Sequence, residues 1–375
     1  MNVDRRPAEV FPPGEFLRDE LDERGWSQLE FAEIIGRPVR VVNEIIAGKV
    51  QITPKTATEL AAALGMSAQF WLNLETSYQL SRVSPPNERI AREAALRGRF
   101  PVREMIKRGW ITASGNYDVL EARILRFFDL TGLGDDISLS HAARRNTRKD
   151  RSTLLWAWVF RVKQIASAVQ VGKYSQASLR ATLPKLELLM TEPEEVRHVP
   201  RLLAECGVRL AVVEPMPGAD IQGVCFWIND NKSPVIGLSL KYDRIDNFWF
   251  NLRHELEHVL RGDGKDDPVM DINPFDLDGT DDAVAENAAN TAASDFCVPT
   301  KKMNDFIARL DPIFTESSLL GFSGIVHRHP GIVVGQIHRK TNRFELFKKH
   351  IVKIRHTLTE TAITDGYGKS CPADI

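Results

Sequence analysis

Apolar residues recur at helical spacing over the first 170 or so positions and give way to strand-like runs from about position 199. Between Gly14 and about Leu80 the pattern predicts five short helices. Phe16, Leu17, Leu21 and Trp26 begin an apolar stripe. Ser27 with Glu30 three residues on has the form of a capping box, and the helix from Gln28 stops at Gly36, a residue suited to the turn after a helix. A second helix runs from near Pro38 to Ala47 before Gly48. The small side chain of Ala32 lets these two helices cross closely. Thr53-Pro54 opens the next, which carries Leu60, Ala61 and Leu64 and ends at Gly65, and Ser67 to Leu74 closes the set. Ser84-Pro85-Pro86 marks a boundary. Beyond it, 89–110, 118–130 and 152–169 read as helices. Val208 to Glu214, Gly223 to Ile228 and Pro234 to Leu240 read as strands, the last two joined by a turn at 229–232. A helix then starts at Asp246, buries Phe248, Leu252, Leu256, Val259 and Leu260, and ends at Gly262.

At 375 residues, 43% hydrophobic and 26% charged, the chain has the composition of a soluble protein of two or three domains. No run of about 18 apolar residues predicts a membrane span, and the first 13 positions lack a signal peptide's apolar stretch. Cys206, Cys225, Cys297 and Cys371 show no close paired spacing and read as free thiols of a cytoplasmic protein. The net charge of −1 is unevenly spread: Arg82 to Lys163 holds 17 Lys/Arg against 9 Asp/Glu, and Asp263 to Glu286 holds 9 acidic residues against Lys265 alone. The basic stretch reads as a helical connector with solvated arginines or as a contact for nucleic-acid phosphate, and the acidic one as a solvated loop beside the active site.

His254-Glu255-Leu256-Glu257-His258 lies inside the predicted helix from Asp246. Residues four apart leave one helix face, so both imidazoles can grip one metal ion while Glu255 stands beside it, where it can polarise a water. Zinc takes a third protein ligand and keeps a position open. Glu286, at the start of a second helix-favouring stretch, is the candidate. Asn290, one turn further on the same face, is placed to hydrogen-bond a ligand. Tyr242, His327 and His329 are candidates for stabilising an oxyanion, and sequence does not choose among them.

Two short helices about a glycine turn, within five, match a helix-turn-helix layout, whose second helix enters the major groove. The stretch "SQLEFAEIIGRPVRVVNEIIAGKVQITPKTATELAAALGMSAQFWLNLETSYQL" resembles the HigA branch of Cro/repressor-type helix-turn-helix proteins. The resemblance implies binding to operator double-stranded DNA, usually as a homodimer. Gln28, Arg37, Arg40 and Asn43 occupy the positions that face DNA, and Lys49 is a natural phosphate contact. Residues 1–80 carry 8 basic and 12 acidic side chains, but the sign reverses locally: Arg37, Arg40, Lys49 and Lys55 stand against Glu44 alone between Gly36 and Lys55.

"SPVIGLSLKYDRIDNFWFNLRHELEHVLRGD" and "ENAANTAASDFCVP" resemble the ImmA/IrrE family of metallopeptidase-like domains, over roughly 201–347. The resemblance implies an antiparallel sheet beside the active-site helix, with zinc held by His254, His258 and Glu286 and with Glu255 as general base. Such domains are associated with action on helix-turn-helix repressors. Cys297 and Glu257 depart from the usual residues at their positions without removing a catalytic group. The expected fold class is therefore multidomain, α and α+β: a five-helix helix-turn-helix domain (14–80), a helical connector (87–197), a zincin-like α+β metallopeptidase domain (198–350) and a C-terminal tail (351–375). The expected function is a DNA-binding regulator that cleaves a repressor or toxin–antitoxin partner. The alternative is a HigA-like antitoxin whose metal domain only senses or binds.

Overall fold

A computed structural model describes residues 10–84, 88–139, 152–271 and 281–371. It divides into two compact units, one up to Ile90 and one from Ala91.

The first unit contains α1 (Pro13–Arg24), α2 (Gln28–Ile34), α3 (Val39–Ile46), α4 (Pro54–Leu64) and α5 (Ala68–Arg82). Local chemistry sets the ends. The Ser27 hydroxyl accepts from the Glu30 amide at 3.2 Å, and the Glu30 carboxylate accepts from the Ser27 amide at 2.7 Å, so two otherwise orphaned donors are satisfied. Thr53 and Ser67 cap α4 and α5 in the same sense. Gly36 turns the chain between α2 and α3 at a φ of 64°. Ala32 is buried between those helices, in a core with Leu17, Leu21, Phe31, Val42, Ile45, Leu60 and Trp71. At Gly14 the α1 backbone lies so close to α3 that a Cβ would stand 2.3 Å from the Ile45 carbonyl oxygen. α5 runs past the expected Leu74 to Arg82 because no Gly or Pro intervenes before Pro85.

The second unit is a five-stranded sheet, in the order β4-β2-β3-β1-β5, with helices on both faces. Its strands are β1 (Arg209–Val213), β2 (Gly223–Ile228), β3 (Ser233–Leu238), β4 (Val269–Asp271) and β5 (Ile363–Asp365). Side chains alternate between two cores, as the strand period requires. Ala211, Val213, Val224, Phe226 and Val235 face α6 (Glu88–Arg99), α7 (Val102–Lys107), α8 (Tyr117–Phe127) and α9 (Thr153–Ala168). Leu210, Val212, Cys225, Ile236 and Leu238 face the helices that follow, from α10 (Gln176–Leu188) and α11 (Val199–Glu205) onward. The stretch read as a connector therefore supplies a layer over the sheet. Within it Pro101 splits the expected single helix at 89–110 into α6 and α7, since proline cannot continue the ladder of hydrogen bonds.

The sheet is mixed rather than antiparallel. β2 runs antiparallel to β3 and β4, but β1 runs parallel to both β3 and β5. The β2–β3 hairpin turns through Asn229, Asp230 and Asn231, all at positive φ, and lays β3 between its own hairpin partner and β1. The stretch expected as a tail brings α17 (Arg355–Thr359) and β5, with Ile354 and Leu358 buried in the core. Asp365 of β5 meets the buried Arg161 of α9 at 2.5 Å. On the other face lie α12 (Ile245–Arg261), α13 (Asp281–Cys297), α14 (Thr300–Leu310), α15 (Glu316–Val326) and α16 (Pro330–Thr341). Among the described residues, no helix is long and apolar enough to cross a membrane.

Candidate metal centre

α12 carries the H-E-x-x-H residues and buries all three chemical groups: His254, Glu255 and His258 are at most 2% exposed. α13 packs alongside α12, its Ala289 and Ala293 being fully buried, and delivers Glu286. His254 Nε2 lies 3.2 Å from Glu286 Oε2, His258 Nε2 lies 3.5 Å from Glu286 Oε1, and the two Nε2 atoms are 3.1 Å apart. Tetrahedral zinc with bonds of about 2.0–2.1 Å separates its ligand atoms by roughly 3.3–3.5 Å. The observed triangle is of that size.

The outer partners decide which atoms point inward. Gly262 ends α12 in the left-handed region, φ 80°, and the Asp263 amide donates to the His258 carbonyl at 2.9 Å. The turn brings the Asp263 carboxylate back to 3.0 Å from His258 Nδ1. A carboxylate accepts only, so His258 carries its proton on Nδ1 and presents a lone pair at Nε2. Asn290 Oδ1 lies 3.2 Å from His254 Nδ1 and sets that ring in the same way. Two imidazole lone pairs and a carboxylate thus converge on one point. Such a set repels itself unless a cation lies between its members, so the residues present fit zinc. Burial and the neighbouring His254 hold the pKa of His258 below the ordinary histidine value, despite Asp263.

Glu255 has both carboxylate oxygens buried without a hydrogen-bond partner among the described residues. β2 comes so close that a Cβ on Gly223 would stand 2.1 Å from Glu255 Oε1. Burial raises the Glu255 pKa well above the ordinary carboxylate value, and the charges of Asp271 and Glu286 add to the rise. Asp271 ends β4, pairs in register with Gly223, and brings a carboxylate oxygen within 4.8 Å of His254 and Glu255 ligand atoms.

His254, Glu255, His258, Glu286 and Asn290 are therefore brought together. Asp263 and Asp271, from the acidic stretch expected beside the site, join them, Asp263 within 3.0 Å of His258; residues 272–280 of that stretch lie outside the described residues. The oxyanion candidates lie on other elements than α12 and α13. The ring of His329 caps α16, its Nδ1 accepting from the Gly331 amide at 3.1 Å. Exposed His327 ends α15, and Tyr242 is 51% exposed beside Asn247 and Asn251.

In the first unit, Arg40 and Asn43 are exposed on α3, Gln28 opens α2 half-buried, and Lys49 is exposed after α3. Arg37 is bound through Nε to Glu59 of α4 at 2.6 Å, and Arg40 through Nε to Glu44 at 2.9 Å. The arginines of the basic middle are largely paired within the second unit, as Arg92 with Glu121 at 2.6 Å and Arg108 with Glu104 at 2.9 Å. Residues 140–151 of that stretch lie outside the described residues.

Fold and site define a helix-turn-helix protein fused to a metallopeptidase-like domain. The chain belongs to the Helix-turn-helix family through residues 17–71, and residues 207–318 match the IrrE N-terminal-like domain. Its relatives include the uncharacterized HTH-type transcriptional regulator YddM of Escherichia coli, 33% identical over 18% of this chain and 73% of that protein. Antitoxin HigA-1 of Vibrio cholerae is 39% identical over 20% of this chain and 70% of its own length. Among solved structures, the Pseudomonas aeruginosa antitoxin HigA with the higBA promoter is 29% identical, covers 21% of this chain and 100% of its own, and has a TM-score of 0.19.

Proposed function

We propose that this chain is a transcriptional regulator that binds operator DNA and whose second unit is a zinc endopeptidase acting on a repressor or toxin–antitoxin partner. The observation that carries the peptidase reading is the buried, unpartnered Glu255 carboxylate beside the His254–His258–Glu286 triangle. His254, His258 and Glu286 would hold the metal. Zinc bound there supplies Lewis acidity toward a carbonyl oxygen and makes water acidic near neutral pH. Glu255 takes the proton of the attacking water on its carboxylate and hands it to the leaving amine. Burial raises its pKa above the ordinary carboxylate value, which favours holding the proton between the two transfers. Asp263 and Asn290 keep the two rings oriented through the cycle.

The partner class rests on the first unit. Antitoxin HigA-1 is 39% identical to this unit, and a toxin or repressor partner follows from that likeness. Arg40 and Asn43 of α3 read the major groove, Gln28 and Lys49 contact phosphates, and Arg37, anchored on Glu59, presents its remaining donors to the backbone. A homodimer would set two such helices on one operator.

The test is co-incubation of the zinc-loaded chain with helix-turn-helix repressors and toxin partners, with and without a chelator. Glu255→Gln should keep stoichiometric zinc and abolish cleavage. A wild-type chain that retains zinc yet leaves every offered partner intact, exactly as Glu255→Gln does, would remove the peptidase reading and leave a binding or sensing domain.

A further inference from the structure

We propose that Arg339 is a peptide-positioning residue of this centre: its guanidinium donates hydrogen bonds to carbonyl or carboxylate oxygens of an extended peptide lying along α12 beside His254. The proposal rests on the peptidase reading.

Three observations carry it. First, α16 packs on α12 in a fixed register. A Cβ on Gly335 would stand 2.4 Å from the Asp246 side chain, so the two helices touch there. One turn further along each, Arg339 stacks on Phe250, with its guanidinium carbon 3.3 Å from the ring centroid. One more turn along α12 comes His254, whose ring is 6.3 Å from that of Phe250. Arg339 is therefore held one helical turn from a proposed zinc ligand.

Second, its donors are unused. Arg339 is exposed, and among the described residues its side chain stacks on Phe250 without a hydrogen bond or ion pair. A guanidinium carries five N–H donors, and stacking on a ring leaves all of them free at its edge. Phe250 holds the plane in place, so little side-chain freedom is lost when an oxygen binds.

Third, the charge field ties Arg339 to the centre. Burial lowers the Arg339 pKa, the charges of Cys297, Asp246 and Asp271 act against that and Arg244 adds to it, and Asp271 groups with His254 and Glu255. Arg244 is already engaged by Asp246 at 2.8 Å. Arg339, stacked on Phe250 one turn from His254, is a cation placed to answer substrate oxygens there.

The test measures binding to the zinc-loaded full chain without turnover. One probe is a phosphonamidate dipeptide, which offers peptide carbonyls and a carboxylate. The other is acetohydroxamate, which reaches only the metal. Arg339→Ala should keep zinc content and acetohydroxamate affinity within about twofold, and weaken the dipeptide probe by roughly 10–100-fold, the worth of a hydrogen bond to a charged group. Arg339→Lys should restore part of the loss. A merely structural role would move both probes or the zinc content together. Equal affinity of wild type and Arg339→Ala for the dipeptide probe overturns the proposal, as does a zinc-loaded wild type that binds acetohydroxamate but not the dipeptide. A chain that binds the dipeptide through Arg339 yet cuts no partner keeps this assignment and loses the peptidase reading. A chain that cuts a partner equally well as Arg339→Ala does the reverse.

Discussion

Replacing Asp263 by alanine should weaken zinc binding more than any other change outside the three ligands. The carboxylate lies 3.0 Å from His258 Nδ1 and is the group that fixes which ring nitrogen carries the proton. Loss of such an outer partner typically costs 10–100-fold in metal affinity, or about 1.4–2.7 kcal/mol. Asp263 belongs near the upper end. It is charged, and hydrogen bonds to charged groups are roughly twice as strong as neutral ones. Sharing with Arg261 at 3.1 Å, at a position only 24% exposed, tempers this without removing it. Asn290, a neutral acceptor 3.2 Å from His254, belongs near the lower end. The backbone of position 263 is unaffected by the change: its carbonyl still accepts from Trp227 Nε1 at 2.8 Å, so the turn after α12 should hold. Competition against a chromophoric chelator gives the zinc dissociation constant, and circular dichroism checks the fold. Asp263→Ala within twofold of wild type, or weaker in effect than Asn290→Ala, would refute the assignment of the His258 proton.

Gly223→Ala drives a Cβ to 2.1 Å from Glu255 Oε1, so it should abolish cleavage, keep zinc, and cost about 1–3 kcal/mol in stability through overpacking; zinc content and denaturation midpoints check it. Arg40→Ala with Asn43→Ala should abolish discrimination between the chain's operator and scrambled DNA, whereas Lys49→Ala should weaken both equally and lower the salt slope by about 1, read by titration at several salt concentrations. His329 has its pKa lowered by burial, so the unfolded chain takes up the proton first. Its stabilising cap on α16 is then fully present above the unfolded value near 6.5 and is lost as pH falls toward the folded value. His329→Asn, which keeps an acceptor for the Gly331 amide, should flatten the acid limb of the thermal midpoint, and an unchanged limb would count against it.

Local chemistry was the part of this protein that could be read from its sequence. Ser27 and Glu30 announce a capping box, and both bonds form. The spacing of His254 and His258 needs only a helix to bring two nitrogens to 3.1 Å. Glu286 needed more, a second helix laid on the first, and the alanines of α13 gave the hint. What could not be read depends on contacts between distant segments. Asp263 reaches His258 only because Gly262 adopts φ 80°, although a Gly-Asp pair directly after the helix is a signal that could have found it. Asp271 arrives because β4 pairs with β2, and Arg339 because Gly335 lets α16 settle on Asp246. Strand runs carry no record of direction, which is why the expected antiparallel sheet is mixed. α9 is buried almost all round, from Leu155 to Ala166, and periodicity alone cannot say that a sheet lies against it.

The two readings of the second unit ask different things of Glu255. A domain that only binds a partner or senses a metal needs the triangle and its outer partners, and nothing from a carboxylate that touches neither. A buried carboxylate with both oxygens unpaired lowers stability by at least the 1–3 kcal/mol of an unsatisfied polar group. Leucine would fill the space at no such cost, and glutamine would carry no charge. Yet the surroundings are shaped around the acid: Gly223 leaves room for its oxygen where an alanine would collide, and Asp271 and Glu286 raise its pKa together with burial. Strain kept at one residue and accommodated by its neighbours is the signature of a group retained for chemistry rather than for stability. A Glu255 kept in this setting is consistent with a proton-transfer role, which Glu255→Gln tests directly.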